Sequence, residues 1–358
     1  MNIDMNNILQ KFNICSRIEE YGNGHINDTY LTSSGNHILQ RINTGIFKDP
    51  EKLMDNIDRV TAFLRKKIEQ EGGDPERGTL TVIKTLDGKN YYKADDEHCF
   101  RVYNYVNDTI TIEDSKDPED LYSAGEGFGH FQKLLSDFPA DELFETIKNF
   151  HNTPSRVEDL KKAVEEDKAG RAAEVKEEID FALSCASFAD RVVKGLEDGS
   201  IPLRVTHNDT KINNILFDKD TRKAICVIDL DTVMPGSALY DFGDALRMGA
   251  STAAEDEVNL DTVNFDEKAF EGFARGYLSE MKDSLTKTEI ELLPFSAKLL
   301  TYECGIRFLT DYLNGDTYFK IHREKHNLDR ARNQFKLVRD IESKEDELGK
   351  IVERLIAE

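Results

Sequence analysis

Residues 201–236, IPLRVTHNDTKINNILFDKDTRKAICVIDLDTVMPG, decide how the rest of this 358-residue chain is read. A short apolar run at 203–205 ends in His207, Asn208 and Asp209; Asn213 and Asn214 follow, then a second run at 215–217. A charged turn at 218–222 leads to a third run, 224–228, that ends in Asp229 with Asp231 two residues on. Apolar runs this short, punctuated by polar turns, predict strands. The pattern therefore puts carboxylates and amides at strand ends. Phosphoryl transfer asks for a carboxylate that orients a nucleophilic hydroxyl and for oxygen ligands to a divalent cation, and H-x-D-x-x-x-x-N followed by I-D supplies both. Asp and Asn are also common in turns, where their side chains bond their own backbone. The order of the pieces, more than any one residue, singles out the chemistry. In this reading Asp209 is the catalytic carboxylate, Asn214 and Asp229 hold Mg²⁺, His207 braces the loop, and Asp231 assists the metal or caps its turn.

HNDTKINNIL and IDLDTVMPGSALYDFGD resemble the aminoglycoside phosphotransferase and choline kinase group of protein-kinase-like enzymes. YGNGHINDTY, ILQRINTGIF, IPLRVTHNDTK, GSALYDFGDALRMGAST and ELLPFSAKLLTYECGIRFLTDYLNGDTYF are similar, more narrowly, to the sugar kinases that phosphorylate the anomeric hydroxyl of N-acetylglucosamine and N-acetylgalactosamine. The resemblance implies an α+β, two-lobed protein-kinase-like fold. Its small N-terminal lobe, with an antiparallel sheet, would span residues 1–107 and bind ATP; a larger, mainly helical C-terminal lobe, 108–358, would carry catalysis and the sugar. It also implies ATP as co-substrate, Mg²⁺ as cofactor and an N-acetylhexosamine as acceptor. Within the matching segments it points to His25, Asn27, Arg307 and Tyr318, beside Asp209, as sugar contacts. Choline, ethanolamine, homoserine or an aminoglycoside are the alternative acceptors of the same fold. An inactive nucleotide-binding module is a further alternative, opposed by the intact Asp209, Asn214 and Asp229.

Gly22 and Gly24 lie between strand-like residues near the start, where glycine lets backbone amides approach a phosphate; G-N-G is equally a good hairpin turn. The strand predicted at 37–42, HILQRI, is where a kinase-like lobe carries its phosphate-contacting lysine. It has none. Arg41 or Gln40 would have to serve, and strand alternation points them to opposite faces. After Pro50 comes an amphipathic helix through Leu53, Ile57, Val60, Phe63 and Leu64, whose Glu51 or Asp55 is a candidate partner for Arg41. Residues 80–85 and 91–93 flank Asp87-Gly88, which predicts a hairpin, and 99–106 predict the last strand of the lobe. Its end, with Tyr103 and Tyr105, is the candidate purine-recognising hinge.

Helical spacing predicts helices over 118–135, 155–178, 179–196, 293–313 and 326–357. The tract at 239–248 is expected to brace the catalytic loop, with Asp241 as a structural acceptor. Glu303 and Arg307 stand one helical turn apart and make either an internal ion pair or sugar contacts. Asp and Glu total 69 against 47 Lys and Arg, and a net charge of −22 repels nucleic acid. An anionic nucleotide must then be gathered by Mg²⁺ and a few placed cations. Five cysteines without a C-x-x-C pair predict reduced core residues. A start with neither a basic leader nor a long apolar run predicts a cytoplasmic protein with no membrane partner, and nothing in the sequence speaks against a monomer.

Overall fold

Most strands come before residue 111 and most helices after it, the order the sequence predicts. The computed structural model describes residues 4–22 and 26–358. Its contacts group the chain into two compact units: Met1–Thr111, Asp137–Lys148 and Asn214–Pro235 form one, and Ile112–Ser136, Asn149–Asn213 and Gly236–Glu358 the other. The architecture is α+β, an antiparallel-sheet lobe and a larger, mainly helical lobe.

In the first unit the elements are α1 (Met5–Lys11), β1 (Ile18–Glu20), β2 (Asp28–Thr32), β3 (His37–Ile42), α2 (Pro50–Gln70), the single turn α3 (Pro75–Gly78), β4 (Val82–Ile83), β5 (Tyr92–Lys93), β6 (Cys99–Asn104) and β7 (Thr109–Ile110). Among the described residues the sheet has six strands in the order β1-β2-β3-β6-β4, with β5 also on β6. Residues 99–103 of β6 are buried on both faces, which is why CFRVY reads as a continuous rather than an alternating run. On one side Ile8, Leu9 and Phe12 pack with Leu39, Phe100 and Val102. Fully burying one such side chain is worth roughly 1.5–3 kcal/mol, whereas an exposed ion pair such as Arg41 with Asp28, at 2.5 Å, is worth about 0–1. The apolar cluster therefore holds the sheet. Asp49 accepts from the Lys52 N–H and Pro50 sits in the first turn, starting α2, which buries Leu53, Ile57, Val60 and Leu64. The turn at Asp87-Gly88 forms, with the Thr85 N–H donating to the Lys89 carbonyl at 2.8 Å. It does not close the predicted hairpin. β4 pairs with residues 102–103 and β5 with residues 99–100, because one edge of the buried strand is long enough to take both end to end.

The second unit contains α4 (Pro118–Leu134), α5 (Thr153–Glu166), α6 (Lys176–Ser184), α7 (Arg191–Asp198) and β8 (Arg204–Thr206). The chain then returns to the first unit as β9 (Ile215–Asp218) and β10 (Ala224–Val227), an antiparallel hairpin with β7 on the far side of β9. The second unit resumes with α8 (Ala238–Gly249), α9 (Glu267–Met281), α10 (Lys287–Leu313) and α11 (His326–Ala357). The two charged helices predicted over 155–196 are three shorter ones. Asp167 ends α5 in the left-handed region at φ 38, Gly170 follows at φ +67, and a 3-10 turn at Cys185–Phe188 separates α6 from α7. α10 starts earlier than predicted, at a capping box of Thr286 and Glu289, and carries Pro294 inside it. Glycine explains one contact. Gly125 and Gly129 of α4 face Gly272 and Gly276 of α9; a Cβ at Gly129 would stand 2.8 Å from the Tyr277 carbonyl oxygen and one at Gly272 2.7 Å from that of Pro118, so the two backbones approach as only glycine allows. Tyr302, Ile306, Leu309 and Leu313 of α10 build a core with Leu328, Phe335 and Val338 of α11.

No helix among the described residues is long and apolar enough to cross a membrane. All five cysteines are free; Cys99 and Cys226 are buried, Cys185 and Cys304 pack partly buried against the helical core, and only Cys15 is exposed, against the expectation of core cysteines.

Candidate active site

The loop after β8 is held through its backbone. The N–H groups of His207 and Asn208 donate to the Asp241 carboxylate at 2.9 and 2.7 Å, and that of Thr210 donates to Asp244 at 2.9 Å. Asp241 and Asp244 lie one turn apart on α8, so one helix face carries both acceptors. Asp241 is itself positioned by Gln132 of α4, whose Nε2 donates at 2.5 Å and whose Oε1 accepts from the Tyr277 hydroxyl of α9. The glycine-mediated approach of α4 and α9 is thus what brings Gln132 and Tyr277 to the acceptor of the loop. Asn208 sits in the left-handed region at φ 66, which Asn tolerates better than most residues, and turns the chain so that the half-buried Asp209 follows. His207 is fully buried against the rings of Phe128 and Phe131, and its Nδ1 accepts from the Asp209 N–H at 3.2 Å.

The Asp209 carboxylate pairs with Lys211 at 2.9 Å. Burial pushes this carboxyl up, but the Lys211 ammonium, with smaller help from His207 and Arg247, outweighs it and holds the group below the usual carboxylate range. It is anionic at neutral pH, as a proton acceptor must be. Lys211 was not among the residues singled out from sequence, although its place two residues after the Asp is a readable signal.

Asn214 and Asp229 are brought to one end of the β9–β10 hairpin: Val227 pairs with Ile215, and the Ile228 N–H donates to the Asn214 carbonyl at 2.9 Å. Asn214 is buried, whereas Asp229 is exposed, with left-handed backbone at φ 58. One amide oxygen and one carboxylate suit Mg²⁺, which takes few protein ligands and fills its octahedron with phosphate and water oxygens. Among the described residues no cluster of three or more His, Cys, Asp or Glu offers a fuller protein cage. Asp231 is engaged on both oxygens: one pairs with the Arg101 guanidinium and the other accepts from Asn27 Nδ2 at 2.6 Å.

That ion pair settles which cation the sheet turns inward. Arg41 points to solvent and pairs with Asp28, not with Glu51 or Asp55. Gln40, on the other face, accepts from Arg101 Nε at 2.9 Å and donates to Thr29 at 3.1 Å. Arg101 stands directly opposite Gln40 across the ladder, 1% exposed, with its guanidinium 5.2 Å from the Tyr103 ring centre. The buried cation is therefore on β6, one strand away from β3. Its sequence signal was an arginine in an otherwise apolar run, which burial permits only with a partner.

The sequence profile of the phosphotransferase enzyme family matches residues 17–281. The chain belongs to this family. Solved structures share the fold over almost its full length. An aminoglycoside phosphotransferase from Alicyclobacillus acidocaldarius is 14% identical with a TM-score of 0.60, covering 99% of this chain and 97% of its own. A microcompartment-associated aminopropanol kinase is 16% identical with a TM-score of 0.65, at 96% and 98% coverage. A choline/ethanolamine kinase family protein from Mesorhizobium loti is 16% identical with a TM-score of 0.55, at 96% and 93% coverage. The protein is accordingly a phosphotransferase with the fold of small-molecule kinases.

The remaining sequence-selected residues of the phosphotransferase are distributed as follows. Gly24 and His25 lie outside the described residues. Gly22 has left-handed backbone at φ +74, and the neighbouring Tyr21 meets Tyr105 edge to face, their hydroxyls 3.2 Å apart. The Tyr103 ring is buried and its hydroxyl has no hydrogen-bond partner among the described residues. Asn27 is buried with its amide engaged at both ends, on Asp231 and on the Asn43 N–H. In the helical unit the Arg307 guanidinium lies 5.9 Å from the Phe150 ring centre and 5.5 Å from that of Phe319. Glu303, one of the two partners the sequence left open for it, is hydrogen-bonded to His151 at 2.8 Å and to the Thr153 hydroxyl at 2.7 Å. Tyr318 is 66% exposed on a loop fixed from below, where the N–H groups of Thr317, Tyr318 and Phe319 all donate to the Asp311 carboxylate at 2.8–3.0 Å.

Proposed function

We propose that this phosphotransferase is an N-acetylhexosamine 1-kinase, moving the γ-phosphoryl group of ATP to the anomeric hydroxyl of N-acetylglucosamine or N-acetylgalactosamine. The observation that carries the acceptor class is the loop fixed by Asp311: it presents an exposed Tyr318 edge to face with Phe319, and Phe319 in turn lies under Arg307. An aromatic face and a planar cation suit the apolar face and hydroxyls of a neutral sugar; a polycationic aminoglycoside would want carboxylates. Asp209 accepts the hydroxyl proton, and Lys211 keeps it ionised for that task. Asn214 and Asp229 would hold Mg²⁺, which when bound neutralises charge on the phosphates. Residues 1–107 would serve the nucleotide and 108–358 catalysis and the acceptor. Of the hinge groups, the N–H of Asn104 and Tyr105 donate to Thr81 and Asn36, while the carbonyls of Val106 and Asn107 accept from Thr109 and Arg77. A purine would then use the Tyr105 carbonyl and the Val106 N–H.

A panel of N-acetylhexosamines, choline and amino alcohols, incubated with ATP and Mg²⁺ and read by phosphorus NMR, tests the reading. α-1-Phosphates of both sugars are expected; phosphate on C6, or turnover of choline with neither sugar used, would replace the acceptor. Arg307→Ala is expected to raise the sugar KM by roughly tenfold, about 1.4 kcal/mol, with the ATP KM unchanged. Equal rises in both constants would take Arg307 off the acceptor.

For the metal ligands, Asp229→Ala is expected to weaken ATP binding on the order of tenfold in Mg²⁺ and not at all in EDTA, measured by calorimetry. Asp220→Ala, exposed in the β9–β10 turn, is the control. Asp218 is unsuitable as one, because it pairs with Arg77 and accepts the Thr221 N–H at 2.9 Å to shape the turn. A loss in EDTA as large as in Mg²⁺ would mean that Asp229 shapes the fold instead of the metal.

A further inference from the structure

His151 sits just before α5 and is buried, with a partner on each ring nitrogen. Nδ1 is 2.8 Å from a Glu303 carboxylate oxygen of α10, and Nε2 is 3.2 Å from the main-chain carbonyl oxygen of Asn208. Both partners are acceptors. A neutral imidazole carries one N–H, so either tautomer would aim a lone pair at one of these oxygens; only the imidazolium satisfies both. Glu303 does not evade this by holding the proton itself. Burial raises its carboxyl, yet His151, Arg307 and Thr153 together bring it below the usual range, and its second oxygen already accepts from Thr153.

The carbonyl that His151 bonds belongs to the peptide joining Asn208 to Asp209. The N–H of that same peptide donates to His207 Nδ1 at 3.2 Å. We propose that His151 is kept as a buried imidazolium that pins this peptide plane from its carbonyl side, and so acts as a positioning residue for the Asp209 carboxylate. The role rests on reading Asp209 as the proton acceptor; the protonation state does not.

The charged groups facing the ring are Glu303 of α10, with Arg307 behind it, and Asp244 of α8. Tyr240 and Phe150 close the remaining sides, with ring centres at 5.1 and 4.7 Å. Burial alone would depress an imidazole; Glu303 outweighs it and the net direction is upward. A raised value means that the clamp is complete below the ordinary imidazole range and is lost as pH rises through the folded-state value, so the effect falls on the alkaline side.

The test titrates the full-length protein, selectively labelled at histidine and aspartate, from pH 6 to pH 10 by nitrogen-15 NMR. Both His151 ring nitrogens are expected to read as protonated at pH 7, and the Asp209 amide to shift with the same midpoint as the ring. His151→Gln should abolish that amide titration. A neutral His151 ring at pH 7, or an Asp209 amide that ignores the ring, overturns the proposal, and the wild-type titration alone suffices if the variant does not fold. In turnover with N-acetylglucosamine, ATP and Mg²⁺, His151→Gln should lower kcat roughly 10- to 100-fold, keep the ATP KM and lose the alkaline limb of the wild-type profile. An alkaline limb that survives in the variant counts against the positioning role. A wild type that ignores the sugar counts against the acceptor assignment alone, since the NMR arm needs no substrate.

Discussion

Asp209→Asn is expected to lower turnover roughly 10² to 10⁴-fold while the protein remains folded, because the amide keeps the shape of the carboxylate but accepts no proton. At about 1.36 kcal/mol per decade this is about 3–5 kcal/mol of barrier. The fold should tolerate the change: the loop is held by backbone bonds from residues 207, 208 and 210 to Asp241 and Asp244, none of which uses the Asp209 side chain. What the carboxylate does hold is the half-exposed Lys211, and an ion pair so placed contributes little to stability. A folded variant, verified by its circular dichroism, that retains a tenth of wild-type kcat would remove Asp209 from the chemistry.

Arg101→Met is expected to be the most destabilising single change in the sheet lobe, by about 3–5 kcal/mol. Methionine fills much of the volume beside Met54 but leaves the Asp231 carboxylate, 4% exposed, with its charge uncompensated. The neutral Asn27 amide then remains as its donor and cannot balance the charge, and Gln40 loses the donor on its Oε1. Because the cost lies in the stranded charge, adding Asp231→Leu should recover a large part of it, whereas two independent losses would add. Urea unfolding followed by circular dichroism, in a chain without tryptophan, measures the cycle. Arg101→Met within about 1 kcal/mol of wild type, or a double variant showing the full sum of two losses, would mean that the buried pair does not hold this part of the lobe.

Much of the molecule was legible in its linear pattern wherever the determining forces are local. The short apolar runs at 215–217 and 224–228 are strands because their neighbours in sequence close the turn between them, and Asp218 shapes that turn through the Thr221 N–H. The stripe of Leu53, Ile57, Val60 and Leu64 is a buried helix face, and Asp49 with Pro50 starts it. The motifs at 207–214 and 228–229 mark the loop after β8 and the hairpin end for the same reason, since loop chemistry and spacing are properties of a few consecutive residues.

Where the pattern failed, the decision belonged to residues far apart in the chain. Alternation along β3 offered Arg41 or Gln40 without choosing. The choice came from the ladder that sets Gln40 opposite Arg101, and from an Asp231 that reaches Arg101 across 130 positions. Helical spacing left Glu303 and Arg307 as an ion pair or as sugar contacts; the fold gives the Glu303 carboxylate to His151 at a separation of 152, because a buried carboxylate takes the donors that packing delivers, not those nearest in sequence. The amide of Asn27, which the resemblance points to as a sugar contact, meets Asp231 and Asn43 from 204 and 16 positions away. The glycines of α4 looked like blemishes in a helix until α9 came close enough to need them. Sequence alone determined the fold class and singled out the loop after β8 as the candidate site, because hydrophobic period, turn residues and motif spacing act over a few residues. The tertiary structure decided which charges are paired and which are buried, because desolvation makes the stability of a charge depend on whatever the fold packs beside it.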